Sequence, residues 1–280
     1  MRRLRPIIET SKRTLITYIY VTSLIFLECR SDQVFPRGLT FIIGINDNAR
    51  DEHLCIGTYI SLYWVMTNAI CAGKAKTSLA PILTASDLVH NHDCQERKPK
   101  SYEIHPEYDR SSKINNIALI ELWEPFIAGP DIDLILFTNS SRKSASCILI
   151  GWQFISTESS YQYSVVMSVK AKKLADEICI DLIKDGDISY VYASNEMVCV
   201  AEALCLSEEG APLVCDGTLF GIMSYTTCTI SVIERIEYHR RWIDTITMRI
   251  TTRGFNSNMA SRCDSSPVLL YAAIAAYLRG

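Results

Sequence analysis

The stretch Cys205-Leu206-Ser207-Glu208-Glu209-Gly210-Ala211-Pro212-Leu213-Val214-Cys215 decides how this chain folds. It passes from a cysteine through two adjacent carboxylates and a small-residue turn into a short apolar run that ends on a second cysteine. Runs of the same kind recur outward from it, at Thr40 to Ile45, Ile117 to Leu122, Cys147 to Trp152 and Leu219 to Ser224. Clusters of Gly, Pro, Asn, Asp and Ser separate them, and that punctuation predicts an all-β barrel or sandwich. One helix is expected, over Tyr238 to Met248, where Tyr238, Trp242, Ile243 and Ile246 make an apolar face at helical spacing. The segment Glu124 to Asp133, with Pro125, Gly129 and Pro130, reads as a linker between two halves.

A chain of 280 residues buries a sizeable core. Its net charge of -3 supplies no basic field for a polyanion, so nucleic acid is not expected as a partner. Eleven cysteines point to an oxidising compartment. Arg2, Arg3, Arg5, Lys12 and Arg13 precede an apolar stretch from Leu15 to Leu27, too short for an ordinary membrane span. Residues 1–31 therefore read as a signal peptide cleaved near Cys29 to Ser31, with an uncleaved signal anchor as the alternative. A second apolar stretch, Pro267 to Leu278, is either the tail of a lipid-anchor signal, with Ser257 or Ala260 for attachment, or an amphipathic tail packed on the domain. The expected layout is a domain over 32–246, split near residues 125 and 131, and a tail over 247–280.

The opening stretch resembles the C-x-G-D-S-G-G-P-L-V-C block of chymotrypsin- and trypsin-like serine proteases. Upstream, Val65-Met66-Thr67-Asn68-Ala69-Ile70-Cys71 resembles the family's V-L-T-A-A-H-C, and Asn115-Asn116-Ile117-Ala118-Leu119-Ile120 its N-D-I-A-L-I. Ile104-His105-Pro106-Glu107-Tyr108, Gly151-Trp152 and Val232-Ile233-Glu234-Arg235-Ile236 extend the likeness from about Thr40 to about Ile246. The resemblance implies two packed six-stranded antiparallel barrels and a C-terminal helix. It also implies the disulfides Cys55–Cys71, Cys147–Cys215, Cys179–Cys199 and Cys205–Cys228. Cys94 and Cys263 are then left to pair if Cys29 departs with the leader.

In active relatives an imidazole takes the proton of a serine hydroxyl while a buried carboxylate orients the ring. The resemblance places Ile70 at the base, Asn116 at the orienting carboxylate and Glu209 at the nucleophile. Isoleucine accepts no proton. A carboxylate is a poor acyl-transfer nucleophile, and its charge sits where an oxyanion must develop. The oxyanion loop carries Ser207 in place of glycine, which disfavours positive φ. Glu208 follows at the position that pairs with a released N-terminal amine, yet no activating N-terminal sequence stands near Cys29 to Gln33, so its charge must find another donor or stay near water. The resemblance puts Ala203 at the base of the specificity pocket and Tyr225, Thr226 and Ser231 at the wall positions of Trp, Gly and Gly, where the added side chains would narrow or close it.

No other residues rebuild the chemistry in this reading. Of the five histidines, His53, His90, His92, His105 and His239, none is placed at the cleft. His90-Asn91-His92 has the spacing of a metal tract but no further ligand at a recognisable distance. Glu208 and Glu209 as a cation site are the weaker reading beside two solvated carboxylates. No cofactor and no metal are expected. Asn139-Ser140-Ser141 is a glycosylation acceptor pattern. The expectation is a secreted, non-catalytic serine protease homologue, like the regulatory cofactors of insect immune cascades and reproductive fluids. Its protein partner would be an active protease, a substrate of one, or an inhibitor. The alternatives are a hydrolase with non-standard residues and a surface-anchored adhesion or receptor module.

Overall fold

The computed structural model describes residues 39–85, 95–129, 132–138, 146–156, 162–186, 190–202, 208–227 and 229–258. The expected leader, the whole apolar stretch Pro267 to Leu278, Asn139, Ala203, Ser207, and the bridges Cys205–Cys228 and Cys94–Cys263 involve residues outside these, as do His90 and His92. Among the described residues no helix is long and apolar enough to cross a membrane.

The N-terminal half is one antiparallel sheet. Its strands are β1 (Ile42–Asp47), β2 (Glu52–Ser61), β3 (Trp64–Thr67), β4 (Pro81–Ala85), β5 (Gln95–Arg97), β6 (Pro99–Ile104) and β7 (Ala118–Leu122). They lie in the order β5-β4-β1-β2-β3-β7-β6, an open seven-stranded sheet where six strands in a closed barrel were expected. The reason lies at Lys98-Pro99. Proline has no N–H to donate and restricts the residue before it, so a single extended segment breaks there into two strands. β5 pairs with β4 at one edge, and β6 pairs with β7 at the other. Branched and bulky side chains, Ile43, Ile45, Ile56, Val65, Met66, Leu119 and Ile120, are fully buried, on both faces of the sheet.

The C-terminal half is the closed antiparallel barrel that the resemblance implies. Its strands are β8 (Cys147–Ser156), β9 (Gln162–Lys173), β10 (Met197–Glu202), β11 (Pro212–Cys215), β12 (Thr218–Thr226) and β13 (Ile230–Arg235), closed in the order β10-β13-β12-β11-β8-β9. Closure removes every free strand edge. Cys147 and Cys215 face each other across β8 and β11 and are bridged. In the first half, Cys55 on β2 is bridged to Cys71.

Two helices appear that the hydrophobic pattern did not announce. The first, α1 (Ala69–Thr77), follows β3, and the second, α2 (Asp176–Gly186), follows β9. The latter packs Cys179 and Ile183 against Met197, Cys199 and Val232 on the outside of the barrel, and Cys179–Cys199 fastens it. The closing helix α3 runs over Ile236–Asn258, beyond both ends of the expected Tyr238 to Met248 and past the boundary expected at residue 246. The chain up to His239 forms one compact unit, and the part from Arg240 another. In the second, Arg240 Nε bonds Asp244 Oδ1 at 2.9 Å, and the Thr245 hydroxyl donates to the Arg241 carbonyl at 2.7 Å.

Candidate functional site

The site is built where the end of β3, the start of α1 and the turn before β11 meet. Asn68 caps α1: its Oδ1 accepts from Cys71 N–H at 2.7 Å, satisfying one of the orphan donors of a helix start. Its Nδ2 reaches the other half of the molecule and donates to the Met223 carbonyl at 3.2 Å. Asn116, fully buried, takes two more of the orphan donors, accepting from Ala69 N–H at 2.9 Å and Ile70 N–H at 3.2 Å through Oδ1. Its Nδ2 donates to Ser224 Oγ at 3.1 Å and to the Ser224 carbonyl at 3.2 Å. Tyr190 donates its hydroxyl to the same Ser224 Oγ at 3.2 Å, and burial first, then the Glu234 carboxylate, pushes that phenol far above its ordinary range. Asn116 thus acts as a neutral clamp between helix start and barrel. A carboxylate there would accept the same N–H groups but could not donate to Ser224.

Ile70 occupies the first turn of α1, half-buried, with no titratable atom. One turn on, Lys74 Nζ lies 2.8 Å from Glu209 Oε2, an ion pair rather than an aligned hydrogen bond. Glu209 keeps about a third of its side chain exposed, at 35%. The two residues face each other because Ile56 N–H donates to the Glu209 carbonyl at 3.3 Å, which ties the turn to β2. Gly210 then crosses the seam with φ +83°, where a Cβ would stand 2.4 Å from Thr67 Oγ1 and 2.5 Å from the Ile56 carbonyl. Only glycine fits both the conformation and the space.

Glu208 has found its donor. One carboxylate oxygen, Oε1, pairs with His53 Nε2, and the other accepts from Trp152 N–H at 2.6 Å. On its far side the imidazole presents Nδ1 to Asn46 Oδ1 at 2.8 Å, and Asn46 Nδ2 in turn donates to Thr84 Oγ1 at 2.9 Å. The register of β1 on β2 sets Asn46 opposite His53, so the pair is fixed by the sheet. Both ring nitrogens face oxygens. The ring can donate from Nδ1 to the Asn46 amide oxygen, and Nε2 meets the Glu208 carboxylate. His53 is 7% exposed and Glu208 9%, so this is a desolvated pair held by surrounding hydrogen bonds.

From sequence alone His53 was placed away from the cleft and Glu208 had no named donor. The structure joins them, although they stand 155 residues apart. Lys74 was likewise missed. Its local signal was its position one helical turn after Ile70, visible only once α1 is recognised. Among the pocket positions, Tyr225 stacks on Tyr190 at 4.6 Å between ring centroids. Thr226 and Ser231 are opposed in the β12–β13 register, and their hydroxyls bond at 3.1 Å. Behind them a second buried pair is formed: Asn116 N–H donates to Glu234 Oε1 at 3.1 Å, and His239 Nε2 lies 3.1 Å from Glu234 Oε2.

Comparison with known proteins places this architecture. The chain is 28% identical to Trypsin II-P29 of Gallus gallus over 181 residues, covering 62% of this chain and 69% of that one. It is 26% identical to Tonin of Rattus norvegicus, with 62% and 71% covered. It is 24% identical to Kallikrein-15 of Homo sapiens, with 76% and 88% covered. Among solved structures it is similar to neuropsin, a serine protease expressed in the limbic system of mouse brain. That likeness has a TM-score of 0.62 at 20% identity, covers 76% of this chain and 96% of that one, and speaks to the fold alone. The family model described as Trypsin matches residues 31–243, a span that includes both halves and every side chain of the seam just described. The chain belongs to the trypsin family.

Proposed function

We propose that this chain is a non-catalytic member of its family, a secreted protein that binds a partner of an extracellular proteolytic network and does not cut peptides. The observation that carries the reading is the Lys74–Glu209 ion pair beside Ile70. An acyl-transfer site of this family needs a hydroxyl whose proton passes to an imidazole. Here the pair is a carboxylate and an ammonium, and the residue assigned to the base is a hydrocarbon. The imidazole closest in role, His53, is held by Glu208 and Asn46 on its two nitrogens. Three disulfides among the described residues fit an oxidising, extracellular setting. Regulatory homologues of insect immune cascades or reproductive fluids are the nearest functional analogy, and it is an analogy of fold.

A second reading, a hydrolase with unconventional residues, is favoured by the names of the relatives, which are trypsins and kallikreins. The two are separated by capturing the tagged, secreted protein from its native fluid, identifying what co-purifies, and assaying cleavage in the same sample. Reproducible recovery of a protease or protease inhibitor, with no cleavage by the purified chain, supports the binding role. Cleavage that Glu209→Ala abolishes overturns it.

A further inference from the structure

The closed barrel is not filled to its end. Alternate residues of its strands point inward, and the register puts Leu149 opposite Val169 and Leu213, Cys147 opposite Ala171 and Cys215, and Val200 opposite Lys173. At this end the inward side chains are small, and a cavity of about 450 Å³ opens among Ala171, Val198, Val200, Leu213 and the Cys147–Cys215 bridge. That volume lies within the range of small-molecule sites, roughly 300–1,000 Å³. The walls are apolar, and the mouth is not. Lys173, Arg235 and Glu237 stand at it. Arg235 is engaged by Glu237 at 3.0 Å and by the Asn195 carbonyl at 3.3 Å, whereas Lys173 makes no ion pair among the described residues. The rim therefore carries one positive charge more than its carboxylate cancels.

We propose that this barrel end binds an amphipathic small molecule with a single aliphatic chain and an anionic head. The chain enters through the barrel end, past Ala171 and Val200, and the head pairs with the Lys173 ammonium. Shape and charge both select this class. The Thr138 hydroxyl on the wall is already bonded to that of Thr218 at 2.8 Å, and a cationic head would meet Lys173 and Arg235 with repulsion. The site lies in the second barrel alone and uses none of the residues of the seam between the halves, so it stands independently of the proposed function.

The test is calorimetric titration of the intact, disulfide-bonded protein with octanoate, decanoate, decanol and decyltrimethylammonium. Saturable one-to-one binding of decanoate is expected, about fourfold tighter than octanoate per added methylene, as burial of each CH₂ requires. Decanol should bind at least tenfold more weakly, and the cationic surfactant not at all. Lys173→Gln should bring decanoate down to the affinity of decanol while leaving decanol unchanged. Ala171→Phe, which takes up part of the cavity, should weaken binding of both at least tenfold. Lys173→Gln keeps the test decisive if the Ala171 variant does not fold. No saturable binding by any chain, or decanoate affinity indifferent to Lys173→Gln, overturns the proposal.

Discussion

Replacing His53 by alanine removes the partner of a carboxylate that is itself only 9% exposed. Glu208 would keep one hydrogen bond, from Trp152 N–H at 2.6 Å, and lose the imidazole that engages its other oxygen. Breaking one side of a buried, hydrogen-bonded ion pair costs about 3–5 kcal/mol, because the remaining charge is desolvated without compensation. With a urea dependence of about 2–3 kcal/mol per M for a domain of this size, the unfolding midpoint should fall by about 1–2 M. The assay is urea unfolding with disulfides intact, followed by tryptophan fluorescence and far-ultraviolet circular dichroism together. Trp152 is a local reporter, its ring 6.0 Å from that of His53. The mechanism makes a sharper demand on the double variant. Once His53 is gone, removing Glu208 relieves the orphaned charge, so His53→Ala/Glu208→Ala should cost at least about 2 kcal/mol less than the sum of the single losses. Additivity within about 0.5 kcal/mol would refute the reasoning, since the two groups would then not be coupled.

Four further outcomes are expected. Gly210→Ala should destabilise by at least about 2 kcal/mol, read as a lowered melting temperature, because the residue has φ +83° and its Cβ would meet the Ile56 carbonyl at 2.5 Å. Removing the Cys179–Cys199 bridge, which closes a loop with a sequence separation of 20, should cost about 3 kcal/mol by loop entropy, measured as a denaturation midpoint. Burial, reinforced by neighbouring His239, holds the His105 imidazole below its ordinary pKa of 6.5, so the unfolded chain binds its proton first. Its contribution is therefore complete above about pH 6.5 and is lost as pH falls toward the depressed folded value, a slope that His105→Gln should flatten in melts between pH 7.5 and 5. The triple substitution Ile70→His, Asn116→Asp and Glu209→Ser should restore no peptide hydrolysis, because Ser207 and the Glu208–His53 pair remain.

Much of the fold was legible because it is written in local patterns. Short β-branched runs fixed the strands, and the blocks around Cys55, Cys71, Cys147, Cys179, Cys199 and Cys215 carried three bridges that the structure forms. The break at Lys98-Pro99 was visible as a proline, but only pairing to opposite sheet edges turns it into an extra strand. α2 had a readable signal in Cys179, Leu182 and Ile183 at helical spacing, masked by its neighbours in a β-rich pattern. α1 had Asn68 as its cap, hidden inside a block read for its likeness to other proteins. Residues that meet across the seam carried no signal of one another. His53 and Glu208, or Lys74 and Glu209, are brought together by β2 and α1 packing on the turn before β11, and neither member of a pair predicts the other. The cavity was silent for a related reason: Ala171 and Val200 are unremarkable in sequence, and the empty space is a property of the closed ladder.

The central claim is that the seam around Ile70, Asn116 and Glu209 performs no acyl transfer. It is tested most directly by incubating the purified, disulfide-bonded chain with a broad peptide library and a fluorophosphonate label, beside Glu209→Ala and Lys74→Ala variants. The account predicts no label incorporation and the same background cleavage in all three proteins. Turnover by the unaltered chain that either substitution removes would contradict it.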